Sequence, residues 1–186
     1  MSHAVAAAAP ARWALPVQLL HWLGVLLLLS VATLGLLMVD MPRGSELRKL
    51  CYGLHKSLGI AVLGVALLRL LARALVRAPA ALPGPAWQLR VARLAHGLMY
   101  ALLLAVPLSG WLLNSVAGQP LPWFGLVDLP PLADRNPAWR KPADTAHLWL
   151  FWTLAALVAV HVLAALHHHW IARDATLRRM LPGRRG

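Results

Sequence analysis

Apolar positions in this chain cluster into four long blocks and do not alternate with polar ones. No charged residue lies between Arg12 and Asp40, and the run from Pro16 to Val39 is unbroken. None lies between Arg93 and Asp128, where Leu94 to Val116 forms a second run. A third extends from Thr145 to Ile171, ahead of Arg173. The remaining block, Tyr52 to Val76, is apolar in bulk but carries Lys56, Arg69 and Arg73. A helix needs about 20 mostly apolar residues to cross a bilayer. The pattern therefore predicts four spans, over about 16–39, 52–76, 94–116 and 145–171. The fold class is all-α: an integral membrane four-helix bundle in a single domain, 1–186. The first run is too long for the apolar core of a cleavable signal and reads as a retained helix. Pro79, Pro83, Gly84 and Pro85 mark a short connector within 78–88. The longest loop, 117–144, holds Pro120, Pro122, Pro130, Pro131, Pro137 and Pro142 with Trp123, Phe124 and Trp139, and is expected to cap one end of the bundle. No internal repeat is present.

Composition agrees. Of 186 residues, 60% are hydrophobic and 13% charged, with a mean hydropathy of +0.64. Soluble domains carry about 25% charged residues, so an ordinary soluble protein is excluded and membrane lipid is the expected surrounding. The net charge of +12 does not signal nucleic acid, because the cations sit between apolar blocks and not along one amphipathic face. They read instead as topology signals. Arg12, Arg69, Arg73, Arg77, Arg90, Arg93, Arg173, Arg178, Arg179, Arg184 and Arg185 fall on one side; Arg43, Arg48, Lys49, Lys56, Arg135, Arg140 and Lys141 fall on the other. The positive-inside rule then places both termini in the cytoplasm. Cys51 is the single cysteine, which excludes an internal disulfide and any four-cysteine iron–sulfur or zinc site. No Cys-x-x-Cys-His occurs for covalent haem.

Against few acids stand nine histidines, and an ionisable residue inside a span is a functional hypothesis in its own right. On this topology His21 lies near the inner end of the first helix and His55 near the outer end of the second. The fourth helix carries His147 at its outer end, His161 in its inner half and His167 to His169 at its exit. His147 and His161 are 14 residues apart, which is about 21 Å of rise and about 40° of rotation. One helix thus presents two imidazoles on one face at two depths, with His21 available to His161 and His55 to His147. This arrangement suits two bis-histidine haems stacked across a membrane. Each histidine singly could be satisfied by a backbone carbonyl, and zinc or copper on two imidazoles alone makes a thin site. His96 is either a spare ligand or a hydrogen-bonding group, His167–His169 are expected at the interface, and His3 has no assigned role. Arg69 and Arg73, one turn apart, either snorkel to the inner surface or meet an anionic group between helices.

The segments Gln18–Trp22, Leu54–Gly59, Arg69 with Arg73, Ala95–Tyr100, Pro122–Gly125, and His161 through His167–His168 to Leu177–Pro182 together resemble the bacterial cytochrome b561 family, in order and over nearly the whole chain. The resemblance implies a dihaem b electron-transfer oxidoreductase of the bacterial inner membrane. It implies haem ligation by His21 with His161 and by His55 with His147. It also implies exchange of electrons with ubiquinone and, in one activity known in the family, oxidation of superoxide. For the quinone, the expected residues are those where cations and histidine meet aromatics at the inner face, Arg69, Arg73 and His168 together with His96; the competing use of Arg69 and Arg73 is binding haem propionates. The cations assigned to the outer side are expected to steer an anionic donor. A cytochrome subunit anchoring a larger redox enzyme is the alternative within the same chemistry; a transporter finds no broken-helix pair to support it.

Overall fold

A computed structural model describes residues 12–182. His3, Arg184 and Arg185 lie outside the described residues. Four helices dominate: α1 (Leu15–Met38), α2 (Glu46–Leu75), α3 (Ala86–Val116) and α4 (Pro137–Trp170). All four are long and apolar enough to cross a membrane. The shortest, α1, has 24 residues, about 36 Å of rise against a hydrocarbon core about 30 Å thick. Successive helices run up and down. One face of the bundle therefore carries the chain ends and the α2–α3 connector, here called the termini face. The other carries the α1–α2 turn and the long α3–α4 loop, here called the hairpin face.

Three helices begin earlier than their apolar runs. Ser45 caps α2, its hydroxyl accepting from the Arg48 backbone N–H, and Glu46 in the first turn complements the helix dipole. Thus α2 starts six residues before the expected 52. Pro85 precedes α3, which opens at Ala86 within the expected connector. Asn136 caps α4 through the Ala138 N–H, and Pro137 takes a first-turn position where no donor is missed. Residues 137–144, expected in the cap loop, are therefore helical, and Pro142 sits inside α4. Hydropathy marks the part of a helix that lies in lipid; capping side chains set the start of α2 and α4, and α3 opens behind Pro85 without a side-chain cap.

The shortened loop still closes the hairpin face. Strands β1 (Pro122–Trp123) and β2 (Val127–Asp128) pair antiparallel. Phe124 and Gly125 both have positive φ, and the Leu126 N–H returns to the Trp123 carbonyl at 3.0 Å, a turn whose twist matches a hairpin. Buried Ser57 of α2 anchors it. The Ser57 hydroxyl accepts from the Phe124 N–H at 3.0 Å, and the Trp123 indole donates to the Ser57 carbonyl at 3.2 Å. At the termini face, residues 171–182 fold back beneath α1. The Trp22 indole donates to the Met180 carbonyl at 2.8 Å, while the Gln18 amide and the Trp13 N–H both reach the Arg179 carbonyl.

The core is thin. Its buried members are small or medium residues such as Val17, Val31, Cys51, Val62, Ala66 and Leu154, and among the described residues no large side chain is fully buried. Helix α1 packs on α2, α2 on α3 and α3 on α4, but the backbones of α1 and α4 make no comparable contact. That seam is crossed by side chains.

Candidate functional site

Two pairs of imidazoles cross the bundle. On the termini side, His21 of α1 faces His161 of α4, ring centres 6.5 Å apart and planes at 88°. On the hairpin side, His55 of α2 faces His147 of α4 at 6.3 Å and 88°. These are the two pairs expected from depth along the helices. A metal–imidazole bond is about 2.0 Å and the bonding nitrogen lies about 1.1 Å from its ring centre, so one metal between two opposed imidazoles separates their centres by about 6.2 Å. Both observed separations fit a single metal centre. Among the described residues no group of three or more histidine, cysteine or acidic side chains gathers to hold a metal. The donor set is therefore two imidazoles per site, which fits an iron whose other positions are supplied by a macrocycle.

The hairpin-side pair is held from behind. His55 Nδ1 lies 2.9 Å from the Val31 carbonyl of α1, and His147 Nδ1 lies 3.1 Å from the Val106 carbonyl of α3. A carbonyl only accepts, so each proton sits on Nδ1 and each Nε2 keeps its lone pair for a metal. The Ser109 hydroxyl, which donates to Val106 at 2.7 Å, also lies 2.9 Å from His147 Nδ1. Both rings enter the same kind of notch: a carbonyl with glycine four residues later, Val31 with Gly35 and Val106 with Gly110. A Cβ at Gly35 would stand 2.8 Å from His55 Cε1, and one at Gly110 would stand 3.0 Å from His147 Cε1. Sequence reasoning missed Gly35, Gly110 and Ser109. The repeated Val-x-x-x-Gly spacing was visible, but its meaning needed the neighbouring helix.

The termini-side pair has different surroundings. His96 of α3 stands beside His161, ring centres 5.5 Å apart, with its Nδ1 on the Ala92 carbonyl at 2.5 Å. Arg69 lies within electrostatic reach of His21, His96 and His161. Its guanidinium stacks 5.3 Å from the centre of the Tyr100 ring, and Arg73 lies 5.9 Å from the same centre and 5.1 Å from the Trp13 ring. His21 Nδ1, Arg69 Nε and the Tyr100 hydroxyl are buried without a protein hydrogen-bond partner. Buried polar atoms are almost always paired, so three orphans in one region mark a place built for a polar ligand.

His168 is engaged elsewhere. Its Nδ1 bonds Asp174 at 2.5 Å, and Asp174 also accepts from the Thr176 N–H at 2.8 Å. Partial burial pushes the Asp174 carboxyl up, but hydrogen bonds from Thr176 and His168 outweigh it and hold it down at about 2. The turn passes through Arg173, whose φ is +53°. On the hairpin face, Lys56 donates to Asn114 Oδ1 at 3.2 Å and to the Pro120 carbonyl at 3.0 Å, Lys49 pairs with Glu46 at 2.7 Å, and Arg48 donates to the Met41 carbonyl at 2.8 Å. A cavity of about 420 Å³ beneath the loop is lined by Trp111, Asn114 and Arg135 among others, and no histidine lines it.

Four membrane-crossing helices around two opposed imidazole pairs are the frame of a membrane haem protein. The chain belongs to the prokaryotic cytochrome b561 family, which matches residues 12–183. It is 35% identical over 174 residues to cytochrome b561 homolog 2 of Escherichia coli K12, covering 92% of each chain. It is 31% identical to cytochrome b561 homolog 1 of the same organism, covering 89% of this chain and 94% of the relative. A protein named probable superoxide oxidase CybB, from Yersinia pestis, is 32% identical over 90% of this chain and 94% of its own length. Haem b and electron transport come with the family, and the chain is a multi-pass membrane protein with a redox role.

Proposed function

We propose that this protein carries two haems b and passes single electrons across the bacterial inner membrane to ubiquinone, with superoxide as the donor at the hairpin face. The observation that carries this reading is the pair of crossed imidazole couples at metal-bridging separation, both drawing on α4. His21 and His161 would hold the termini-side haem, His55 and His147 the hairpin-side haem. Each haem, when bound, supplies a one-electron Fe(III)/Fe(II) couple. The chain does the rest. The Val31 and Val106 carbonyls fix the tautomers of His55 and His147 and raise the basicity of the ligating nitrogens. Two histidines per site would leave a small donor no protein-free place on the metal, so the chain's part is to bring the donor close to the bound group.

Two superoxide ions give two electrons and leave two dioxygen molecules; two electrons and two protons convert ubiquinone to ubiquinol. Hairpin-face cations, Arg43, Arg48, Lys49, Lys56, Arg135, Arg140 and Lys141, draw the anion in, an effect that salt weakens. Arg69 and Arg73 are the cofactor-binding side chains of the termini end, where the quinone is reduced, and His168, whose Nδ1 is held by Asp174, would take part there through Nε2. The cation count supports a cytoplasmic termini face. The sequence likeness to a probable superoxide oxidase supports the donor.

The test is a pyridine haemochrome spectrum with protein quantitation. Two haems b per chain are expected. His161→Ala is expected to lose the termini-side haem and His147→Ala the hairpin-side haem, each keeping the other. A folded protein without haem, or an His161→Ala variant retaining both, refutes the assignment. Superoxide-dependent ubiquinol formation by the purified protein tests the donor and acceptor.

A further inference from the structure

The cluster of Arg69, Tyr100 and Arg73 holds more positive charge than the protein itself balances. The two arginines are one turn apart on α2, and like charges at that spacing repel. Both guanidinia approach one ring, at 5.3 and 5.9 Å from the centre of Tyr100. Among the described residues the ion pairs are Lys49 with Glu46 and His168 with Asp174, so neither arginine has an acidic partner. The ring face offsets part of this charge, but it leaves Arg69 Nε and the Tyr100 hydroxyl buried and unpartnered. Tyr100 is four residues beyond His96 on α3, hence on the same face, and His96 abuts His161. The unbalanced cations and the idle hydroxyl therefore stand beside the termini-side imidazole pair.

We propose that Arg69, Tyr100 and Arg73 form a carboxylate site, and that its occupant is the propionate edge of the haem held by His21 and His161. The inference rests on the dihaem reading above and adds a cofactor-positioning role for Tyr100. Two carboxylates bring the two negative charges that the arginines lack. The Tyr100 hydroxyl and Arg69 Nε–H donate to their oxygens, which satisfies both orphans. A neutral quinone brings no charge and leaves the two guanidinia unbalanced. The carboxylate site would thus orient the bound haem, which two imidazoles alone leave free to rotate.

Tyr100→Phe keeps the ring beneath both guanidinia and deletes only the hydroxyl; Arg69→Gln deletes one charge. Both variants are purified with haem and examined by spectroelectrochemical titration and by haem transfer to excess apomyoglobin. A hydrogen bond to a charged group lost in Tyr100→Phe corresponds to about 10- to 100-fold weaker retention of the termini-side haem. Arg69→Gln removes a cation beside the carboxylates, which favours the ferric form. Its termini-side midpoint is expected to fall by about 60 mV, a tenfold change in a one-electron equilibrium. The hairpin-side haem is the internal control and keeps its potential. Should Arg69→Gln fail to fold, Tyr100→Phe alone decides by haem retention. Unchanged retention and unchanged midpoint potentials in both variants overturn the proposal, including where only the KM for ubiquinone rises, because that outcome assigns the cluster to the quinone. Wild-type protein that binds no haem sinks the dihaem reading and this inference together, and is told apart by the wild-type spectrum alone.

Discussion

Replacing Gly35 with alanine puts the hairpin-side notch to a quantitative test. The new Cβ would stand 2.8 Å from His55 Cε1 and 3.1 Å from Nδ1. Carbon atoms prefer about 3.5–4.0 Å, so the ring must retreat by at least about 0.7 Å. The hydrogen bond from Nδ1 to the Val31 carbonyl is 2.9 Å, and a retreat of that size stretches it to about 3.6 Å, where it no longer counts as one. Metal–nitrogen bonds tolerate only about 0.2 Å. Overpacking costs about 1–3 kcal/mol, the lost hydrogen bond about 1, and alanine returns about 1 through helix propensity. The net, about 1–3 kcal/mol, is about a 5- to 150-fold loss of affinity at the His55–His147 site. Gly59→Ala is the control, because a Cβ there meets nothing within 4 Å; only the propensity gain applies. The assay is haem per chain, with the potentials of both haems, after exposure to a haem scavenger. Gly35→Ala is expected to fall toward one haem, and Gly59→Ala to keep two. If Gly35→Ala retains both haems at unchanged potentials, the notch does not position the ligand and the argument fails.

Two further predictions concern the turn after α4. Arg173 adopts a left-handed backbone, φ +53°, which costs an L-residue with a side chain about 1–2 kcal/mol; Arg173→Gly is expected to raise the unfolding temperature of the detergent-solubilised protein, and a fall counts against the strain. Asp174, held at about 2 against an ordinary 3.8, is an acid with a lowered value, so its contribution is complete above about 3.8 and disappears as pH drops toward about 2. Protection from amide exchange across 171–182, taken relative to the intrinsic rate at each pH, should fall through that window in the wild type, and Asp174→Asn should show the lower protection already at neutral pH; wild-type protection that does not change with pH would contradict this.

Helix number and histidine pairing were legible in the sequence because both follow from simple periods. Hydropathy counts crossings, and 14 residues on a helix return nearly to the same face. Helix ends were less legible, since Ser45 and Asn136 act through local hydrogen bonds that hydropathy does not register. The resemblance singled out Leu54–Gly59 and Pro122–Gly125 as separate pieces; only the structure showed that Ser57 fastens one to the other. Tyr100 entered the resemblance only as the last residue of Ala95–Tyr100, with no role attached. Its role emerges from two arginines on another helix, and Asp174 likewise gains meaning only from His168 six residues before it.

The thin α1–α4 seam bears on how the protein is made. Two helical hairpins can enter the bilayer during synthesis and settle against each other through α2 and α3, while α1 and α4 are tied mainly through the tail that folds beneath α1. On the proposed ligand assignment, a haem shared by α1 and α4 would close this seam, and its supply would add stability: free cofactor at 100 times its dissociation constant contributes about 2.7 kcal/mol. On the same assignment, the chain without haem would leave that seam unfilled, and its lifetime in the membrane would follow haem supply.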